Sequence, residues 1–213
     1  ENSQDAVVIS HLTFGYNQNE REIFHDYSLN IPEGTMVTLT VRTGAGKSTL
    51  IKLILGLYQP QEGSINIFGL EPQNIPEAER RTIYGSVEQD FRMIHGTIRE
   101  QITLDNPAIT DEMVWEALDT AQLKQTVASF PEGLDTRCTP EIFSRGQFQL
   151  LSIARAIVCN PKLLLLDEIT ANLDVNTEQL VVTALHEASK DRTVLSISHR
   201  LYQVQGGTQI EIQ

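Results

Sequence analysis

Thr43-Gly44-Ala45-Gly46-Lys47-Ser48-Thr49 sets small residues beside a lysine and hydroxyls within seven positions. Glycines let the backbone curl so that its N–H groups converge, and a helix opening there adds the positive end of its dipole. Such a turn binds phosphate. Lys47 is placed to reach the β- and γ-phosphates of a nucleotide, and the Ser48 hydroxyl to ligate Mg2+. A glycine-rich turn that binds nothing is the plainer alternative, and the Gly-Lys-Ser-Thr run argues against it. The full pattern wants a further glycine where this chain has Val41. Valine accepts the β region but not positive φ, so Val41 is expected to crowd the turn and weaken nucleotide binding without abolishing it.

A second group can complete that chemistry. Leu163-Leu164-Leu165-Leu166-Asp167-Glu168 runs four apolar residues into two acids, which places carboxylates at the carboxyl end of a buried strand. Ligands gather at that edge in open α/β sheets. Asp167 would hold Mg2+, directly or through water, and Glu168 would act as general base on the attacking water. Strands often end in solvated charges, so this run gains its meaning from the phosphate loop.

Runs rich in β-branched residues predict strands over 6–9, 36–41, 64–68, 83–87 and 193–198, and the unbroken apolar run predicts another over 163–166. Helical patterns fall over 47–57, 146–158 and 177–188, the last with Asn176 as its cap. Strand and helix alternate, so the chain is read as α/β with a mostly parallel sheet and a β-rich N-terminal part. No strand stands out over 91–143, where 111–121 reads as an amphipathic helix capped by Thr110. That stretch is expected to be a helical lobe inserted in a single domain spanning 1–213.

Phe143-Ser144-Arg145-Gly146-Gln147 resembles the LSGGQ signature of the ABC ATPase family, and Ser144 lies 23 residues upstream of Asp167 as in that family. As a plain helix start it would be capped by Ser144. The resemblance runs along essentially the whole chain and implies further roles. Tyr16 is similar to the aromatic that stacks on adenine, although a core tyrosine at a strand end fits as well. Gln89 in Val87-Glu88-Gln89-Asp90 resembles the Q-loop glutamine at Mg2+. Asp174 resembles the D-loop aspartate, and His199 the switch histidine that orients the attacking water. Lys47, Gln89, Glu168 and His199 then form the catalytic set, with Ser48, Gln89 and Asp167 at the metal. Tyr16, the loop from Thr43 to Thr49, Ser144, Gly146, Gln147 and Asp174 would contact ATP. Arg145, where the family has a small residue, either adds a phosphate contact or blocks closure of the pair.

Gly96-Thr97-Ile98-Arg99-Glu100-Gln101-Ile102 and Pro131-Glu132-Gly133-Leu134-Asp135-Thr136 are similar to exporter segments, whereas 137–142 departs from the cross-contact loop of exporters. The resemblance therefore implies a P-loop NTPase core hydrolysing MgATP as the nucleotide-binding domain of an ABC exporter. Its partners would be a second nucleotide-binding domain, head to tail, and transmembrane domains at the cytoplasmic face of a membrane. Two other readings stay open: a degenerate, ATP-binding regulatory half of a heterodimeric transporter, favoured by Val41 and Arg145, and a soluble ABC ATPase outside transport.

Composition sets the outer bounds. With 16 Lys plus Arg against 28 Asp plus Glu the net charge is -12, which argues against a nucleic-acid partner held over a broad surface. Cys138 and Cys159 have neither metal-site clustering nor disulfide density, so they are read as buried or idle thiols in a reducing compartment. No apolar run nears the roughly 20 residues of a membrane span, so the fragment itself is read as soluble. A chain opening on Glu1 reads as a piece of a larger membrane protein or as a processed chain. After His199-Arg200-Leu201 it reaches Gly206-Gly207 sooner than the family pattern, so a strand and turn are expected to be missing from the last sheet edge.

Overall fold

Four consecutive leucines can be buried together only if both faces of their strand are covered. In the computed structural model, which describes residues 5–17, 22–41, 44–88, 90–167, 173, 175–197 and 208–212, that is what happens. Leu163 and Leu165 of strand Leu163–Asp167 pack into one apolar cluster, Leu164 and Leu166 into another, and all four are fully buried. Alternate residues of a strand point to opposite faces, so this strand divides the molecule into two cores.

The strands are β1 (Asp5–Phe14), β2 (Phe24–Pro32), β3 (Met36–Val41), β4 (Glu62–Ile67), β5 (Tyr84–Val87), β6 (Leu163–Asp167), β7 (Thr193–Ile197) and β8 (Thr208–Ile212). Five of them form a parallel sheet in the order β5-β6-β7-β3-β8. The other three form an antiparallel sheet in the order β2-β1-β4. The helices are α1 (Gly44–Ile54), α2 (Glu77–Ile83), α3 (Ile98–Thr103), α4 (Asp111–Thr120), α5 (Lys124–Ala128), α6 (Arg145–Ile157) and α7 (Val175–Ser189).

One core lies between the two sheets, where Val7, Ile9 and Ile31 meet Leu50, Leu53 and Ile54 of α1 and Leu39 of β3. The other holds α3 to α7 against the opposite face of the parallel sheet, through residues such as Ile102, Leu118, Leu150 and Leu185. No helix of the described residues is long and apolar enough to cross a membrane.

The α/β reading with a mostly parallel sheet and a β-rich N-terminal part is what the structure has. Several expectations need correction. Strand β2 was missed because four of its nine residues, including His25 and Asp26, are exposed and break the apolar pattern. Residues 77–83 form α2, so β5 starts only at Tyr84. Phe68 leaves β4 in the left-handed region, with φ 47°. Helix α7 already begins at Val175, so Asn176 lies inside it and is not its cap. The last sheet edge is occupied: β8 pairs with β3 from Val37↔Thr208 to Val41↔Ile212.

Between β5 and β6 the described residues carry helices and one isolated bridge, Thr97↔Arg137. The Thr97-to-Glu100 run is a capping box: the Thr97 hydroxyl accepts from the Glu100 N–H, and the Glu100 carboxylate from the Thr97 N–H. Thr110 caps α4 as its sequence implied, accepting from Met113 N–H at 3.3 Å.

Candidate functional site

Because the five strands of the parallel sheet run the same way, their carboxyl ends share one edge, which holds Val41, Val87, Asp167 and Ile197. Strand β7 alone separates β3 from β6. Two strand spacings put their ends about 10 Å apart, a span that a polyphosphate and a cation can fill.

Val41 closes β3 in register with Ile212, so its backbone is extended there, the conformation a β-branched residue favours. Helix α1 then starts at Gly44, which puts Gly44, Ala45, Gly46 and Lys47 in its first turn. The first N–H groups of a helix have no partner within it, so this turn offers donors to an anion. Gly46 and Thr49 are buried and Ser48 is exposed. Ser48 and Asp167 line one cavity of about 490 Å3 together with Ser86, Glu88 and Asp90. A hydroxyl beside a strand-end carboxylate is the hard oxygen donor set that Mg2+ takes when phosphate oxygens and water complete its shell. Among the described residues no group of three or more His, Cys, Asp or Glu side chains could hold a metal by itself.

On the outer side of α1, Tyr16 follows the end of β1. Its hydroxyl lies 2.9 Å from Thr49 Oγ1, and its ring stands near-perpendicular to Phe14 and Tyr58 with centroids 5.4 Å away in both cases. The ring is 42% exposed, so a planar ligand can reach it. The phosphate helix thus carries an aromatic shelf beside it, and the shelf is tied to that helix by a hydrogen bond.

The second half of the constellation sits on α6. Ser144 is its N-cap: the Ser144 hydroxyl accepts from Gln147 N–H at 3.2 Å, and Gln147 Oε1 accepts from Ser144 N–H at 3.0 Å. The Ser-x-x-Gln spacing therefore makes a reciprocal capping box, while the N–H groups of Arg145 and Gly146 have no acceptor within the helix. Gly146 is buried where α7 crosses. Arg145 points to the chain leaving β5, with its guanidinium 3.7 Å from Asp90 Oδ1, and both side chains are at least half exposed. Asp90 borders two cavities, the one beside Ser48 and a second of about 440 Å3 lined by Phe91, Met93, Phe143, Arg145 and Phe148.

One feature of this neighbourhood is absent from the sequence reading. Arg155 of α6 is drawn down to about 10, mainly by burial and then by the nearby Arg81 charge. Its hydrogen bonds go to the Gln101 and Arg92 carbonyls and to Gln101 Oε1, and its guanidinium lies 4.1 Å from the Phe91 ring centroid. The signal in the sequence is Ala154-Arg155-Ala156 downstream of the signature, an arginine within the apolar stretch 153–158.

Of the site residues expected from sequence, Tyr16, Gly44, Ala45, Gly46, Lys47, Ser48 and Thr49 fall together at α1, with Asp167 across the cavity. Ser144, Gly146 and Gln147 form a separate group at the start of α6. Thr43, Gln89, Glu168, Asp174 and His199 lie outside the described residues.

Known proteins resemble this chain in sequence and fold. A profile of the ABC transporter family matches residues 24–171. A protein named as a multidrug export ATP-binding/permease protein in Staphylococcus aureus is 39% identical over 94% of this chain and 35% of its own length. An uncharacterized ABC transporter ATP-binding protein of Bacillus subtilis is 37% identical over 97% of the chain and 36% of its own length. The structure of a bacterial Atm1-family ABC exporter with ATP bound superposes with a TM-score of 0.84 at 32% identity, covering 100% of this chain and 37% of the other. The chain thus spans about a third of the length of these relatives. The chain, with its phosphate turn, strand-end aspartate and capped signature helix, belongs to the ABC transporter family as a nucleotide-binding domain.

Proposed function

We propose that this chain binds and hydrolyses MgATP, and that its turnover drives a substrate across a membrane as part of an ABC exporter. The observation that carries the reading is the shared cavity: Ser48 after β3 and Asp167 at the end of β6 face the same space of about 490 Å3. Lys47 would bind the β- and γ-phosphates, while the first turn of α1 donates backbone N–H groups to them. Ser48, Asp167 and Gln89 would hold Mg2+, which supplies positive charge against the phosphate oxygens. Glu168 would accept the proton of the attacking water and His199 would orient it. In sequence, Gln89, Glu168 and His199 come one or two residues after the ends of β5, β6 and β7, which supports placing them at the same edge. Tyr16 would stack on the adenine. Most of the rate gain would come from positioning and charge rather than from covalent chemistry.

The Ser144 turn and the Ser48 turn are separate groups in one chain. We read the Ser144, Gly146 and Gln147 turn, with Asp174, as facing the nucleotide of a second nucleotide-binding domain arranged head to tail. We take residues 91–143 as the helical lobe of the domain. The second cavity, with Phe91, Met93, Phe143 and Phe148 in its wall, would receive the transmembrane partner on the cytoplasmic side.

MgATP calorimetry together with phosphate release over a range of protein concentrations tests the reading. The expected result is binding, with turnover that rises faster than linearly in protein and disappears in Glu168→Gln. Binding without turnover would point to the degenerate regulatory half. Absence of binding would overturn the proposal.

A further inference from the structure

The segment from Phe91 to Ile94 has no regular secondary structure, so its backbone groups lack ladder partners. Two side chains supply them. Gln101, fully buried on α3, accepts from Ile94 N–H at 3.0 Å and donates to the Ile94 carbonyl at 2.8 Å. Arg155 donates to the Arg92 carbonyl at 2.8 Å and, through its other nitrogens, to the Gln101 carbonyl at 2.5 Å and Gln101 Oε1 at 3.1 Å. Phe91 lies against the Arg155 guanidinium at 4.1 Å and against the Phe148 ring at 5.4 Å, nearly parallel. Phe148 and Arg155 are two turns apart on α6, hence on one face of it. Among the described residues the acceptors of Arg155 are neutral oxygens, two of them backbone carbonyls, so its bonds serve to hold backbone.

We propose that Arg155 is a positioning residue: it clamps the segment following Gln89 onto α6, so that this segment and the Ser144–Gln147 turn at the start of α6 move as one body. The inference rests on the ATPase reading above for what the clamp serves, but not for its existence. A planar guanidinium fits the role because its donors point along fixed, diverging directions, whereas an ammonium is a point charge that cannot span three acceptors in one plane. Arg145, 3.7 Å from Asp90, extends the same connection toward the first turn of α6. Arg81 provides the contrast. It donates to the Ile102, Thr103 and Arg155 carbonyls, tying α3 to α6 without touching residues 91–94.

The test compares Arg155→Lys with Arg81→Lys by MgATP calorimetry, steady-state turnover, thermal melting and amide hydrogen exchange. In Arg155→Lys, kcat is expected to fall about tenfold or more while KM and the MgATP affinity stay within about twofold. Exchange at the amides of 92–94 is expected to quicken about tenfold or more in that variant and to keep its parent rate in Arg81→Lys. Arg81→Lys keeps kcat even where its melting point drops. The proposal is overturned if Arg155→Lys retains kcat, or if both variants lose kcat in proportion to their melting points. Should the parent protein not turn over ATP, the functional reading fails by itself, and the exchange measurement alone decides: unchanged protection at 92–94 sinks the clamp. Where Arg155→Lys does not fold, Phe91→Leu replaces it, since it removes both ring contacts from a partly exposed position; unchanged kcat and unchanged exchange in that variant would overturn the proposal too.

Discussion

Gly146, in the first turn of α6, lies so close to Thr177 of α7 that a Cβ added to it would meet the threonine methyl carbon at 1.7 Å and its Cβ at 3.1 Å. Thr177 is β-branched and sits in a helix, so it has little rotamer freedom with which to yield. The glycine of the signature is therefore required by packing before any ligand is considered. Gly146→Ala should cost about 1–3 kcal/mol by overpacking. Thr177→Ala in the same chain should recover most of it, and a double-mutant cycle by chemical denaturation reads the coupling. Equal losses in the single and double variants would show that the strain lies elsewhere.

Tyr16 joins the β-rich part to the phosphate helix through its hydroxyl and offers its ring to the outside. These two contributions separate by substitution. Tyr16→Ala should weaken MgATP binding by about 1–3 kcal/mol, the usual worth of a base on an aromatic ring. Tyr16→Phe should keep that affinity and lose only the bond to Thr49, seen as a lowered melting point of the nucleotide-free protein.

Asp167 and Ser48 share a cavity, so removing one carboxylate should remove magnesium dependence rather than nucleotide binding. Asp167→Asn is expected to bind ATP equally well with and without EDTA and to show no magnesium-stimulated phosphate release. A variant that still responds to magnesium would displace Asp167 from the metal.

Val41 is paired with Ile212 at the end of β3, where extended backbone suits it. Glycine at that position should weaken the strand by about 0.5–1 kcal/mol. Nucleotide affinity should nevertheless rise in Val41→Gly, because the full phosphate-loop pattern has glycine at that position. Calorimetry that finds the affinity unchanged would remove Val41 from the account of the loop.

Tyr84 is buried, donates to the Ile54 carbonyl at 2.9 Å and is pushed up to about 12; burial also pushes Tyr27 up to about 12. In the unfolded chain both ionise near 10. Between those values the unfolded state holds fewer protons than the folded one, so stability falls as pH rises. The contribution is fully present below about pH 10 and is lost on approaching pH 12. Denaturation curves at stepped alkaline pH should show this decline, and it should be shallower in Tyr84→Phe.

Cys138 is buried and its thiol is pushed up by that burial, with the Arg155 charge acting in the opposite direction. A thiol alkylating agent at neutral pH should therefore modify Cys159, which is only half-buried, and reach Cys138 only on unfolding. Mass spectrometry of the native and denatured protein distinguishes the two.

Much of the site was legible from local spacing because its physics is local. The Gly-rich turn opening α1 and the capping spacing from Ser144 to Gln147 need only their own few residues. Four leucines ahead of Asp167 announced a strand covered on both faces, since no other environment hides so many apolar side chains in a row. Strand β2 was not legible, because four of its nine side chains face water and its membership in the sheet depends on pairing with β1.

What the sequence by itself determined is the set of chemical groups and the short elements that carry them: a phosphate turn, a strand-end acid and a capped helix. Tertiary structure alone decided which of these meet. Ser48 and Asp167 are far apart in the chain and share a cavity only because β3 and β6 lie in one parallel sheet with β7 between them. Arg155 finds its acceptors 54 and 63 residues away. Gly146 is fixed by a threonine on another helix. Contacts of this kind have no periodicity or spacing in the sequence, because the chain between the partners can have any length as long as packing returns it to the same place.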